Sequence, residues 1–119
     1  MFDDPVEWLR AYLTPILDCP ALGGVPHPRP PRFVRLLWTG TRRQNVAFRL
    51  AQVTAEAWDE AGMSAAAQLG SDLHDALDRC PLLPRSSGWA GGPYNDTDPD
   101  TGTPKTVMTV QLKQRARHN

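Results

Sequence analysis

The last quarter of the chain constrains the fold most. Tyr94-Asn95-Asp96-Thr97-Asp98-Pro99-Asp100-Thr101-Gly102-Thr103-Pro104-Lys105 runs straight into Thr106-Val107-Met108-Thr109-Val110-Gln111-Leu112-Lys113-Gln114-Arg115. The first stretch is built of turn formers: Asp and Asn side chains bond nearby backbone, and Pro and Gly preset turn dihedrals. Residues 95–105 therefore read as an acidic surface loop. Thr103 to Arg115 alternates, with Met108, Val110 and Leu112 on one face, which is the period of a half-buried strand. A chain ending this way is not a simple helical bundle.

At 119 residues and 13.2 kDa the chain matches one domain, residues 1–119, with enough length to bury a core without a disulfide or metal. Thirteen basic residues balance thirteen acidic ones, so no global field draws the protein to nucleic acid or to an anionic membrane. Cys19 and Cys80 each precede a proline at the expected end of a helix and read as two reduced thiols. Met1-Phe2-Asp3-Asp4-Pro5 lacks the basic and apolar regions of a signal peptide, and no apolar run reaches the ~20 residues of a membrane helix.

Asp3-Asp4-Pro5 is a helix start, since a carboxylate can accept from first-turn amides and proline needs no donor there. Val6, Leu9, Leu13 and Ile16 follow at helical spacing, and Pro15 predicts either an end near Leu13 or a kinked continuation to Asp18. Residues 19–32 hold five prolines and two glycines and read as an extended connector. Phe33 to Thr39 is a strand, Gly40-Thr41-Arg42-Arg43-Gln44-Asn45 a polar turn, and Val46 to Trp58 a second strand, joined as a hairpin. In the second strand Val53, Ala55 and Ala57 form a small apolar face suited to a closely packed helix, opposite Gln52, Thr54, Glu56 and Trp58.

The segment from Asp59 opens a second helix, with Ser64 as its expected N-cap and Ala65, Leu69, Leu73, Ala76, Leu77 and Cys80 near one stripe up to Pro81. Gly70 inside it costs about 1 kcal/mol relative to alanine and predicts a close backbone contact. Ser86 to Tyr94 reads as a short, glycine-interrupted strand around Trp89. The resulting fold class is α+β, a mostly antiparallel four-stranded sheet with two helices packed on one face.

Motifs for chemistry fail on detail. Asp96, Asp98 and Asp100 imitate the start of a calcium loop, but Thr101 stands where that loop needs glycine and Val107 where it needs glutamate. Gly62-Met63-Ser64-Ala65-Ala66 lacks the second glycine of a nucleophile elbow. His27, His74 and His118 are not spaced as metal ligands, and the glycines of Ser87 to Gly92 lack the lysine and spacing of a phosphate loop. No catalytic, metal or cofactor site is expected. The candidates that remain are interface residues. Arg35, Arg42, Arg43 and Arg49 form the densest basic region, suited to an acidic surface or a phosphate backbone. Trp38 and Trp58 sit beside them, with at least one expected to be exposed, in the composition of an interface core. Asp96, Asp98, Asp100 and Lys105 mark the opposite, acidic loop.

Several pieces taken in order carry a family resemblance. They are Asp4-Pro5-Val6-Glu7-Trp8-Leu9, the connector Val25-Pro26-His27-Pro28-Arg29-Pro30, Phe33-Val34-Arg35 to Gly40-Thr41-Arg42-Arg43, Gln52-Val53-Thr54-Ala55-Glu56-Ala57-Trp58, and Asp98-Pro99-Asp100-Thr101-Gly102-Thr103-Pro104-Lys105. Along nearly its whole length the chain resembles a tail-terminator protein of long-tailed, siphovirus-type actinobacteriophages. Ser86 to Gly92 departs from it as a weak strand. The resemblance implies an α+β, non-enzymatic virion protein without cofactors. It implies a closed ring of identical copies, usually a hexamer, that caps the tail tube, ends its polymerisation and joins the tail to the head connector.

The implied partners are the chain itself, the major tail tube protein and the head-tail connector protein, with phage DNA passing through the lumen without specific binding. The implied place is the neck of the virion, after assembly in the host cytoplasm, with no membrane. Ring contacts are expected at the exposed edge of the Met108 to Leu112 strand or at the hairpin carrying Arg42 and Arg43. Another head-to-tail connector protein, or a small nucleic-acid-binding α+β module, would share parts of this pattern.

Overall fold

The computed structural model of the chain describes residues 1–25, 27–85 and 87–117; Pro26, Ser86, His118 and Asn119, and with them part of the expected connector and the penultimate histidine, lie outside the described residues. In chain order the elements are α1 (Pro5–Leu17), β1 (Ala21–Leu22), β2 (Arg32–Arg43), β3 (Phe48–Asp59), α2 (Met63–Asp78), β4 (Trp89–Thr97) and β5 (Pro104–Arg115). The fold is α+β, as expected. The sheet, however, has five strands in the order β1-β2-β3-β5-β4 and is mixed rather than four-stranded and antiparallel, because β1 lies parallel to β2.

That strand is two residues long, too short to show a period, and it hides in the proline connector. Pro20 lacks a donor but keeps its carbonyl, which accepts from Val34 N at 2.9 Å and starts the pairing. Asp4 caps α1 as expected, its Oδ1 accepting from Val6 N at 2.9 Å and Glu7 N at 3.4 Å. The helix continues through Pro15 and stops at Asp18, left-handed at φ 53°. Its buried stripe is Pro5, Leu9, Leu13 and Leu17, and Ile16, expected inside, is exposed.

Asp59 closes β3 and accepts from Ala61 N at 2.9 Å, so α2 begins only at Met63. Its N-cap is Gly62, at φ 136° and with no side-chain bond, which corrects the reading of Ser64. Ala66 rather than Ala65 joins Leu69, Leu73, Ala76 and Leu77 in the buried stripe.

The two longest pairings are antiparallel: β2–β3 from Arg32↔Asp59 to Arg43↔Arg49, with a bulge between Trp38 and Gly40, and β3–β5 in unbroken register from Trp58↔Lys105 to Phe48↔Arg115. The hairpin turn is thus residues 44–47, and Arg42 and Arg43 end a strand instead of forming the turn. On the odd-numbered face of β3, Val53, Ala55 and Ala57 are fully buried under α1 and α2 together with Val34, Leu36, Met108, Val110 and Leu112. Both helices pack on this face, so the small side chains do admit a close helix.

Gly70 is a point of close approach between α2 and β5: a Cβ there would lie 2.6 Å from Thr106 Cγ2. At the far edge β4 runs past Tyr94 to Thr97 and takes in Asn95 and Asp96, which the sequence had placed in a loop. Its register shifts twice around Gly91, and Gly92, at φ 76°, passes so near β5 that a Cβ would meet Val107 O at 2.5 Å. The strand from Met108 to Leu112, expected as an exposed edge, lies between β3 and β4.

Candidate functional site

The ten residues singled out in the sequence separate into three groups. The first is internal. Trp58 is 2% exposed and stacks on Phe33 with centroids 5.3 Å apart, and Lys105 is 8% exposed. Both serve Glu56, itself buried. Its Oε2 accepts from Lys105 Nζ at 3.1 Å, and its Oε1 accepts from Trp58 Nε1 at 3.1 Å and from Arg35 Nη1 at 3.4 Å.

These side chains lie on the sheet face opposite the helices, where the connector crosses: Arg29 sits over the Trp58 ring at 5.6 Å and donates to Thr101 Oγ1 at 3.3 Å. A buried carboxylate is tolerated when its oxygens are bonded and its charge is paired. Trp58, Lys105 and Arg35 therefore stabilise the fold through Glu56; Trp58 and Lys105 are buried within the chain, while Arg35 keeps 30% of its side chain exposed. Alternation put Glu56 on a polar face; only the paths of the connector and loop reveal that it is buried.

The second group is basic. Arg42 and Arg43 are exposed at the end of β2. The antiparallel register lays Leu50 between Arg42 and Lys113, and Phe48 beside Arg115, so Lys113, Arg115 and Arg117 join them at one end of the sheet. Those three exposed cations were missed because they lie some 70 residues along the chain from the hairpin, although their crowding at the C-terminus is visible in the sequence.

Arg117 is partly neutralised by Asp3, 3.0 Å away. Arg49 is half-buried and engaged, donating to Gln114 Oε1 at 2.8 Å and to Asp3 O at 3.0 Å while lying over Phe2 and Trp38. Trp38, 42% exposed, bonds its own strand through Nε1 to Thr41 Oγ1 at 2.9 Å. At the apex of the turn Val46 is 83% exposed. Asn45 Oδ1 holds that turn by accepting from Ala47 N at 2.8 Å and Phe48 N at 3.0 Å.

The third group is acidic. Asp96 is exposed on β4, while Asp98 and Asp100 occupy the loop to β5. Asp98 folds that loop: its Oδ2 accepts from Thr101 Oγ1 at 2.6 Å and from Thr101 N at 3.0 Å. Those bonds favour the ionised form and hold its carboxyl below the usual range. The loop is held by its own turn chemistry, as its composition suggested.

Neighbouring α2 adds exposed Asp72, Asp75 and Asp78, among which Arg79 stands as a cation. Between α2 and β4 lies a cleft of about 360 Å³, lined by Ala67, Gly70, Ser71, His74, Pro93, Tyr94, Asn95 and Thr106. His74 stacks on Trp89 with centroids 4.3 Å apart, and Trp89 Nε1 donates to Asp78 Oδ1 at 3.2 Å, which fixes one wall. The cleft was not legible in the sequence because its walls come from segments that share no motif.

Among the described residues no group of three or more His, Cys, Asp or Glu is placed to hold a metal ion, and no helix is long and apolar enough to cross a membrane. No family model matches the chain, and none of the curated proteins is significantly similar to it.

Proposed function

We propose that the chain is a structural virion protein, a tail terminator that closes into a ring of identical copies, caps the tail tube, ends tube polymerisation and joins the tail to the head connector. The observation that carries this reading beyond the family resemblance is the separation of charge on a neutral chain. Exposed Arg42, Arg43, Lys113 and Arg115 occupy one end of the sheet, and Asp75, Asp78 and Asp96, with the cation Arg79 among them, lie on α2 and β4. A closed ring needs two different surfaces that fit one another, and like surfaces carrying one sign of charge would repel.

The residues act by contact and not by chemistry. The ring's axial faces meet the tube protein on one side and the connector on the other, and its place is the neck of the virion, after assembly in the host cytoplasm. Zero net charge suits a lumen through which DNA must slide, since a strongly basic ring would hold the phosphate backbone. Incubating the purified protein with isolated tail tubes, followed by electron microscopy, tests the role. Rings seated on tube ends support a terminator, and rings that seat only on head connectors favour a neck protein.

A second reading rests on the same basic end, where Lys113 lies 4.7 Å from the Phe48 centroid and Arg49 5.0 Å from that of Trp38. Cations beside aromatic rings are also how single-stranded nucleic acid is gripped. Salt-sensitive binding to RNA would favour that module; its absence dismisses it.

A further inference from the structure

The hairpin end and the α2–β4 cleft are complementary in more than charge. The first is a projection: a bonded turn holds Val46 outward at 83% exposure, with Arg42 and Arg43 just behind it. The second is a recess with apolar walls, Ala67, Gly70 and Pro93, and polar groups from His74, Tyr94 and Asn95. Tyr94 is 56% exposed there, and Asp75 and Asp78 stand on the same helix. Gly70 at its floor carries no side chain, so α2 lies directly against Thr106 of β5, where a Cβ would come within 2.6 Å of Thr106 Cγ2. An interface core wants an apolar anchor in a pocket with charged groups at its rim.

We propose that the β2–β3 hairpin of one copy docks into the α2–β4 cleft of a second copy. Val46 enters beside Gly70 and Tyr94, while Arg42 and Arg43 face Asp75, Asp78 and Asp96. The occupant is another copy of this chain because charge and shape required by the cleft are both present on the chain itself. The contact is head-to-tail: each copy offers one projection and one recess, so repetition closes a ring or extends a filament. This inference rests on the ring reading and specifies its side-to-side contact.

Two variants test it. Arg42→Glu with Arg43→Glu reverses the projection; Ser71→Trp with Asp75→Ala obstructs the recess and removes one rim charge without reversing it. All four positions are exposed, so the folded state is expected to persist, and thermal melts check this. In light scattering each variant alone is expected to be monomeric at concentrations where the wild type assembles. Mixed in equal amounts they are expected to form a species of two copies and no larger, because only one good projection and one good recess remain. Wild-type assemblies that persist in either variant, or monomeric variants that fail to pair on mixing, overturn the docking and leave the ring reading standing. A wild type that stays monomeric at every concentration removes both.

Discussion

Lys105 Nζ lies 3.1 Å from Glu56 Oε2, a pairing between residues 49 apart in sequence and both less than a tenth exposed. Breaking such a pair from one side leaves an uncompensated buried charge, which costs about 3–5 kcal/mol. Glu56→Ala strands Lys105, and urea denaturation is expected to show a loss of about that size. Lys105→Met should cost less, because Glu56 keeps Arg35 and Trp58 as partners. Equal losses in the two variants would mean that Arg35 and Trp58 contribute nothing to holding the carboxylate.

Gly70→Ala is expected to destabilise the protein, although alanine is the better helix former by about 1 kcal/mol. The added Cβ would come within 2.6 Å of Thr106 Cγ2 and 2.7 Å of its Cβ, so α2 must move off β5. Overpacking of this kind costs about 1–3 kcal/mol. A rise in melting temperature would contradict the observed contact.

Asp98 is expected to titrate below its ordinary value of 3.8, owing first to its bond from the Thr101 hydroxyl. A depressed carboxyl contributes loop stability that is present above the unfolded value and is lost as pH falls through the folded one. Carboxyl NMR titration measures this directly. Thr101→Ala should return the midpoint towards 3.8, and an unchanged midpoint would exclude the hydroxyl as the cause.

Cys19 and Cys80 are both buried, and burial pushes each thiol above its ordinary 9.0. The positive charge of Arg32 partly opposes this at Cys19, as do backbone hydrogen bonds from Leu82 and Leu83 at Cys80. The unfolded chain therefore loses these protons first, so stability is expected to fall as pH rises above about 9. A thiol reagent at pH 8 should label the native protein slowly and two sites in denaturant. Rapid native labelling would show that the thiols are reachable.

The fold class was legible because its main signals are local. Asp4 before Pro5 starts a helix, Val53, Ala55 and Ala57 alternate, and Gly70 costs enough in a helix to need a reason. What escaped depends on pairing across the sheet. Ala21 and Leu22 become a strand only because Val34 bonds Pro20, and β5 becomes central only because the glycine-rich segment pairs along its outer side.

The same holds for the site. Arg42 and Arg43 stand out in sequence, whereas Lys113 and Arg115 join them only through the β3–β5 register. Trp58 and Lys105 look like surface residues until the connector and the acidic loop are placed over them.

The most direct test of self-assembly through oppositely charged surfaces is the molar mass of the wild-type protein by light scattering, across protein concentration and at low and high salt. The expected result is one discrete species of several copies that populates as concentration rises and is weakened by salt, since exposed charges are screened beyond ~10 Å at 0.1 M. A mass that stays at 13.2 kDa throughout would contradict it.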